Sequence, residues 1–293
     1  MDGAIVVDKP QGWTSHDVVG KLRRLAATKR VGHLGTLDPI ATGVLPLLMG
    51  KATRLAQFYT RSDKIYEAVV RFGYATGTYD RAGEPTSPVT EPSIVREDLE
   101  ARLDAFRGEF LQTPPAVSAK KVDGVRAYKL ARQNVAVDLP PVPVQIYELE
   151  LLDVNGAEAV LRARCSGGTY MRSLAHDLGQ GMGCGAHLRD LRRTLSGEFR
   201  IEQARTIPEL EQLAAENRLD EALVPASQLL PEFPAVYVEE MVVNLIRQGR
   251  NFPVSPFRTQ KAGRYVKAVS REGGLVAIGE SVLPNLYHPV VVL

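Results

Sequence analysis

Gly32-His33-Leu34-Gly35-Thr36-Leu37-Asp38-Pro39-Ile40-Ala41-Thr42-Gly43 gathers a carboxylate, an imidazole and a proline among glycines at 32, 35 and 43. Asp38 precedes Pro39, which biases its backbone away from the helical region. The glycines let the chain bend tightly and approach a ligand closely. Residues 31–43 therefore read as a loop. A carboxylate held this way can act as a nucleophile, a general base, a metal ligand or a turn cap. An Asp-Pro pair by itself is more often a turn cap, so the pattern around it has to decide.

Outward from this loop, the chain alternates between apolar runs and breakers. AIVVDKP, ending at Pro10, has strand composition. Thr14 and Ser15 can cap a helix that carries Val18, Val19, Leu22 and Leu25 on one face. The run from Val44 to Tyr59 is expected as a second apolar helix. KIYEAVVRFG, residues 64–73, reads as a strand, and a helix is expected from Ser93 through Phe106. VQIYELELLDV and AVLRARC read as strands joined at Asn155 and Gly156. Residues 173–183 and 208–216 have helical patterns. Irregular interleaving of helices with strand–turn–strand pairs predicts an α+β fold with a mixed, largely antiparallel sheet and flanking helices.

Composition shifts near Leu230. LPEFP, residues 230–234, reads as a linker between a domain at 1–230 and a small β-rich domain at 231–293. The latter has a helical run at 240–248 and strands in RYVKAVS, GLVAIG and HPVVVL. A domain this small has a thin core and is expected to lean on the larger one.

The chain of 293 residues is 44% apolar and 24% charged, with a net charge of +2, the profile of a globular protein. No run approaches a membrane span, the start lacks the features of a secretory signal, and Cys165 and Cys184 form no disulfide framework. These features predict a cytoplasmic location. Basic clusters at Lys21–Arg30 and at Arg189, Arg192 and Arg193 read most simply as solvated helix faces, although a phosphate-binding surface needs only local positive charge.

The extended pattern GHxGxLDPxATGxLP resembles the catalytic loop of the TruB family of transfer-RNA pseudouridine synthases. The resemblance continues in order along the chain. It runs through Asp8-Lys9-Pro10-Gln11-Gly12-Trp13-Thr14-Ser15, Lys64-Ile65-Tyr66, Gln112 to Lys121, Cys165 to Arg172, and Gly183 to Phe199. It implies the pseudouridine synthase fold with an appended PUA-like RNA-binding domain. It also implies isomerisation of the T-loop uridine at transfer-RNA position 55, by a monomer with no protein partner and no cofactor or metal. Asp38 would be the nucleophile, attacking either C1′ of the sugar or C6 of the base. Arg172 would hold it ionised through a two-pronged contact. Tyr66 would stack on the uracil and take part in proton removal, Tyr170 and Leu191 would line the pocket, and His33 would stack in the space vacated by the flipped base. Lys9 and Pro10 would support the loop.

Two positions depart from the family pattern. Val117 stands where an aromatic is usual and Gly77 where an acidic residue is usual, and neither is expected to touch the chemistry. Other functions fit less well. A nucleotide-binding P-loop around Gly50-Lys51 fails because Leu45 and Ala52 occupy positions that need Gly and Ser or Thr. A zinc site from Cys165, His176, Cys184 and His187 lacks a C-x-x-C pair. An RNA-folding chaperone remains an alternative from a different class, and a synthase acting on another RNA is a third possibility.

Overall fold

The computed structural model describes residues 1–117, 139–255 and 263–293, together with a strand pair at 121–122 and 125–126. Ser118, Ala119 and Lys120 of the matched segment lie outside the described residues. The chain opens with β1 (Gly3–Lys9) and α1 (Ser15–Leu25). Thr14 starts α1: its hydroxyl accepts from the Asp17 amide, and the Asp17 carboxylate accepts from the Thr14 amide.

Next come β2 (Val31–His33), β3 (Ala41–Met49), a 3₁₀ segment (Gly50–Tyr59) and β4 (Lys64–Phe72). The structure corrects the expectation of a helix over 44–59, because its first part is the strand β3. Leu45, Leu47 and Met49 enter one core, while Val44 and Leu48 enter another on the opposite face. A strand buried on both faces is apolar without interruption, so it shows no two-residue alternation. Pro46 falls where β3 changes neighbour on one side, a tolerable place for a missing N–H. Residues 31–43 are likewise less loop-like than expected: strands claim both ends and leave 34–40 irregular.

After β4 come α2 (Arg96–Leu103), starting later than the predicted Ser93, then β5 (Gly108–Gln112), β6 (Lys121–Val122), β7 (Val125–Arg126), β8 (Val142–Asn155) and β9 (Glu158–Cys165). Then follow α3 (Met171–Gly181), β10 (Ala186–Ser196), β11 (Phe199–Arg200), α4 (Ile207–Ala215) and β12 (Leu223–Pro225). β10 also overturns a reading, since its arginines sit on a strand and not on a solvated helix. Arg193 is 1% exposed.

Among the described residues the main sheet runs β12-β1-β3-β10-β4-β9-β8-β5, with β2 and β11 as side partners. Within it β3 and β10 pair in parallel and the other neighbours pair antiparallel. Helices α1, α2, α3 and α4 pack their apolar residues against the sheet, as with Val18, Leu99, Leu174 and Leu210. This is the α+β architecture that the sequence predicts.

The second sheet is built from β13 (Ala235–Val238), β14 (Phe252–Pro253), β15 (Tyr265–Ser270), β16 (Leu275–Leu283) and β17 (Leu286–Val292), with α5 (Glu240–Arg247) beside it. Its own core includes Val236, Ile246, Phe252 and Tyr287. A further cluster joins the two sheets, with Leu55, Phe199 and Leu229 meeting Val269, Ile278 and Val291. The expected linker is pinned between them. The Leu230 amide donates to Glu198 Oε1 at 3.1 Å, Tyr59 donates to the same oxygen at 2.9 Å, and Lys267 Nζ donates to the Ser227 and Leu229 carbonyls.

Candidate active site

The segment from Lys9 to Ser15 holds the 34–40 loop from below. Ser15 Oγ donates to the Leu37 carbonyl at 3.1 Å and accepts from the Leu37 amide at 2.8 Å. The Gly12 amide donates to the Pro39 carbonyl at 2.8 Å. Lys9 is fully buried and donates to the Pro10 and Trp13 carbonyls at 3.0 and 2.6 Å, so it fastens the segment that fastens the loop. Burial brings the Lys9 pKa down to about 8, against the opposing pull of Asp38. Where the loop rejoins β3, Gly43 adopts φ +98, and a β-carbon there would lie 2.2 Å from the Arg193 carbonyl. Only glycine permits that turn and that approach.

Asp38 emerges beside the N-terminus of α3. Arg172 Nε lies 2.9 Å from Asp38 Oδ2, and Arg172 Nη2 donates to Asp38 Oδ1 at 3.3 Å. This is a two-pronged contact between groups 134 residues apart in sequence. Burial pushes the Asp38 pKa up, and the Arg172 guanidinium pulls it back down. Arg172 is itself fixed from behind. It donates to the Thr78 and Val117 carbonyls at 3.2 and 2.9 Å and faces Asp80 Oδ2 at 3.8 Å. Asp80 is held by Thr78 Oγ1 and the Ala82 amide.

A cavity of about 260 Å³ opens over this pair, lined by Asp38, Arg172, Tyr66, Tyr170 and Leu191, with Lys64 and Arg193. Strand register gathers these walls, because Leu191 pairs with Ala41 and Arg193 lies opposite Tyr66. Tyr170 sits just before α3, where its amide and carbonyl are both bonded by the Gln112 side chain. Tyr66 is 8% exposed, and burial raises its hydroxyl pKa while Arg193 opposes the rise. His33 does not line this cavity. It lines a neighbouring depression that shares Gly35, Thr60 and Lys64 with it.

A family model described as TruB family pseudouridylate synthase (N terminal domain) matches residues 23–171, and one described as tRNA pseudouridylate synthase B C-terminal domain matches 172–231. This chain belongs to the TruB family. The two matches meet at Arg172, so the carboxylate and its guanidinium come from separate matched segments, and the second sheet lies beyond both. The chain is 68% identical over all 293 residues to tRNA pseudouridine synthase B of Solibacter usitatus (strain Ellin6076), covering the whole of both chains. It is 43% identical to the protein of that name from Geobacillus kaustophilus (strain HTA426), covering 90% of this chain and 95% of the other. Among solved structures, a chain of a Cbf5-Nop10-Gar1 complex matches with a TM-score of 0.71 at 28% identity, over 96% of this chain and 78% of that one.

Some features of this TruB-family site escaped the sequence reading. Asp80 and the Thr78 carbonyl brace Arg172 from an irregular turn with no periodic signal, and Lys64 and Arg193 join the wall from strands. One departure from the family pattern touches an expected site residue, contrary to expectation, and the other touches none but adjoins a residue that does. Val117 gives its carbonyl to Arg172, and Gly77 adjoins Thr78. The zinc alternative is not assembled: no three His, Cys, Asp or Glu side chains gather as a metal site among the described residues. His187 Nδ1 instead lies 3.2 Å from the Tyr74 carbonyl, and the His176 ring stacks on Tyr79 at 3.8 Å. No helix of the described residues is long and apolar enough to cross a membrane.

Proposed function

We propose that this chain is a cytoplasmic, monomeric tRNA pseudouridine synthase that isomerises the T-loop uridine at position 55, with Asp38 as nucleophile. The Asp38–Arg172 contact inside a cavity large enough to admit a uracil carries the reading. The names of the curated relatives support transfer RNA as the substrate. A flipped uridine enters the cavity and stacks on Tyr66, between Tyr170 and Leu191. His33, in the adjoining depression, stacks where the base has left the RNA. Burial works against ionised Asp38, and Arg172 keeps it charged and oriented. Tyr66, a wall of the cavity, serves the late removal of the C5 proton through its hydroxyl. Isomerisation transfers no electron and no group to another molecule, so its chemistry calls for no cofactor. Residues 1–230 carry the catalysis, and residues 231–293 add RNA contacts as a PUA-like module.

The test is release of a labelled C5 hydrogen from a T-arm stem-loop by purified protein. Wild type should turn the substrate over, while Asp38→Ala and Asp38→Asn should bind it with unchanged affinity and release nothing, since a nucleophile acts in the chemical step. Turnover by Asp38→Asn, with the amide verified by mass spectrometry, would refute the assignment. Turnover of other RNAs but not of the T-arm would redirect it to a different substrate, and tight binding without any turnover would favour the chaperone.

A further inference from the structure

Lys64 and Arg193 line the same cavity, 7% and 1% exposed, and neither forms an ion pair among the described residues. Arg193 gives Nε to the Val44 carbonyl at 2.8 Å and Nη2 to the Gly35 carbonyl at 3.1 Å. Lys64 gives one hydrogen to the Ser62 carbonyl. Backbone oxygens accept those hydrogens but cancel no charge. Arg172, by contrast, has Asp38 and Asp80. Two buried cations with no carboxylate in contact are costly. Burial, aided by Arg193, brings the Lys64 pKa down to about 8. The backbone hugs both groups through glycine. A β-carbon on Gly35 would lie 3.6 Å from Arg193 Nη1 and 3.9 Å from Lys64 Cε, and one on Gly167 would lie 3.1 Å from Lys64 Nζ.

The reaction supplies the missing negative charge by either route open to Asp38. Attack at C1′ forms an O–C1′ bond and breaks C1′–N1, leaving its electron pair on the uracil, spread onto O2 and O4. Attack at C6 forms an O–C6 bond and pushes the C5–C6 pair onto C5 and O4. On the C6 route C1′–N1 then breaks with its electron pair left on N1. In both cases the ring uses a pair at C5 to bond C1′, the bond to Asp38 is released with its electrons, the C5 proton leaves to a base and N1 takes up a proton. We propose that Lys64 and Arg193 form an oxyanion site that stabilises the uracil ring while it carries this charge, with Lys64 as a catalytic residue and Arg193 as a fixed charge beside Tyr66. This rests on reading the cavity as the uridine site. Fixed donors aimed at developing charge in a dry pocket are a large source of rate enhancement. A phosphodiester is the other anion that RNA brings, but cations this deep face the inserted base and not a backbone that stays outside.

The experiment compares single-turnover rates at saturating T-arm RNA carrying uridine or 5-fluorouridine at the target, for wild type, Lys64→Gln and Arg193→Lys. RNA affinity is measured in parallel across a salt series. Fluorine at C5 withdraws electrons and stabilises the ring anion on its own. Lys64→Gln should slow loss of the target uridine by ~10²–10³-fold, leave affinity unchanged, and lose a smaller factor on the fluorinated RNA. Arg193→Lys keeps the charge and should lose less. If that buried variant fails to fold, Lys64→Gln, with its thermal melt recorded, decides alone. Wild-type rates, or an equal loss on both RNAs, would overturn the oxyanion site. Weaker binding with a salt slope reduced by about one, at unchanged rate, would assign the cations to phosphate and overturn it equally. Failure of the underlying reading shows separately, as absence of turnover by wild type, and would take the oxyanion site with it.

Discussion

Arg172 and Lys267 are each 5% exposed, yet they hold different things. Arg172 grips the Asp38 carboxylate and faces a second at Asp80, so charge meets charge. Lys267, at the joint between the two sheets, grips only the Ser227 and Leu229 carbonyls. Around it burial lowers the Lys267 pKa and raises those of Glu198 and Tyr59. Burial opposes ionisation in both places, but in the pocket a guanidinium grips the carboxylate, whereas the joint is sealed by hydrogen bonds to carbonyls and a hydroxyl. Buried polar groups therefore do not mark chemistry by burial alone. A cavity and a carboxylate gripped by a guanidinium distinguish the first cluster from the second.

Arg172→Lys should break the contrast most severely. It keeps the positive charge and loses the fork. The single-turnover rate should fall by ~10²–10³-fold. Burial already raises the Asp38 pKa, and losing the fork raises it further, so a smaller fraction is ionised at a given pH. The deficit should narrow as pH rises, with the acid limb of the rate profile displaced upward. A wild-type profile would mean that Arg172 is merely structural.

Lys267→Met should do the reverse. Two carbonyls lose their donor, a cost of ~1–3 kcal/mol seen in thermal or urea unfolding, while the chemical rate at saturating RNA stays at the wild-type level. Loss of chemistry in a folded Lys267→Met protein would show that the joint is coupled to the pocket. Deleting 231–293 outright is a harsher version. It uncovers Leu55, Phe199 and Leu229, so the remainder should lose solubility.

The smallest effect is expected from Glu198→Gln, whose amide oxygen can still accept from Tyr59 and Leu230. The folded pKa of Glu198 is raised above its ordinary 4.5. Its stabilising contribution is therefore complete below 4.5 and is lost as pH rises through the raised value. An uncharged glutamine should flatten that slope and change neutral-pH stability by no more than about 1 kcal/mol. A steeper pH dependence in the variant would mean that ionised Glu198 supports the joint.

Local signals on the chain were readable where one residue type does one job. Thr14 caps α1 as expected, and the paired strands β8 and β9 lie where their strand-like runs predict, although the turn itself is Gly156–Ala157. The Asp38 loop stood out because its motif is contiguous. What escaped depends on neighbours distant in sequence. β3 looks like a helix because both of its faces are buried. Arg193 looks like surface because arginine usually is, yet β3 and β4 flank its strand and supply a carbonyl partner in Val44. Asp80 reaches Arg172 only through the packing of a turn against α3. The sealed joint was equally hidden, since Lys267 finds its acceptors 38 and 40 residues upstream.

The pairing of β1 sets a timetable for making the molecule. β3 can zip onto one side of β1 early in synthesis, but the other side waits for Arg205, which bridges Val6 and Asp8, and for β12, with Gly3 opposite Pro225. At about 5–20 residues per second on the ribosome, that side of the first strand stays unpaired for roughly 10–45 s. An open strand edge invites pairing with the wrong chain. That side of β1 is thus open to misassembly until β12 is made, and Gly3 has no room to defend itself with a side chain, because a β-carbon there would lie 2.2 Å from the Val224 carbonyl.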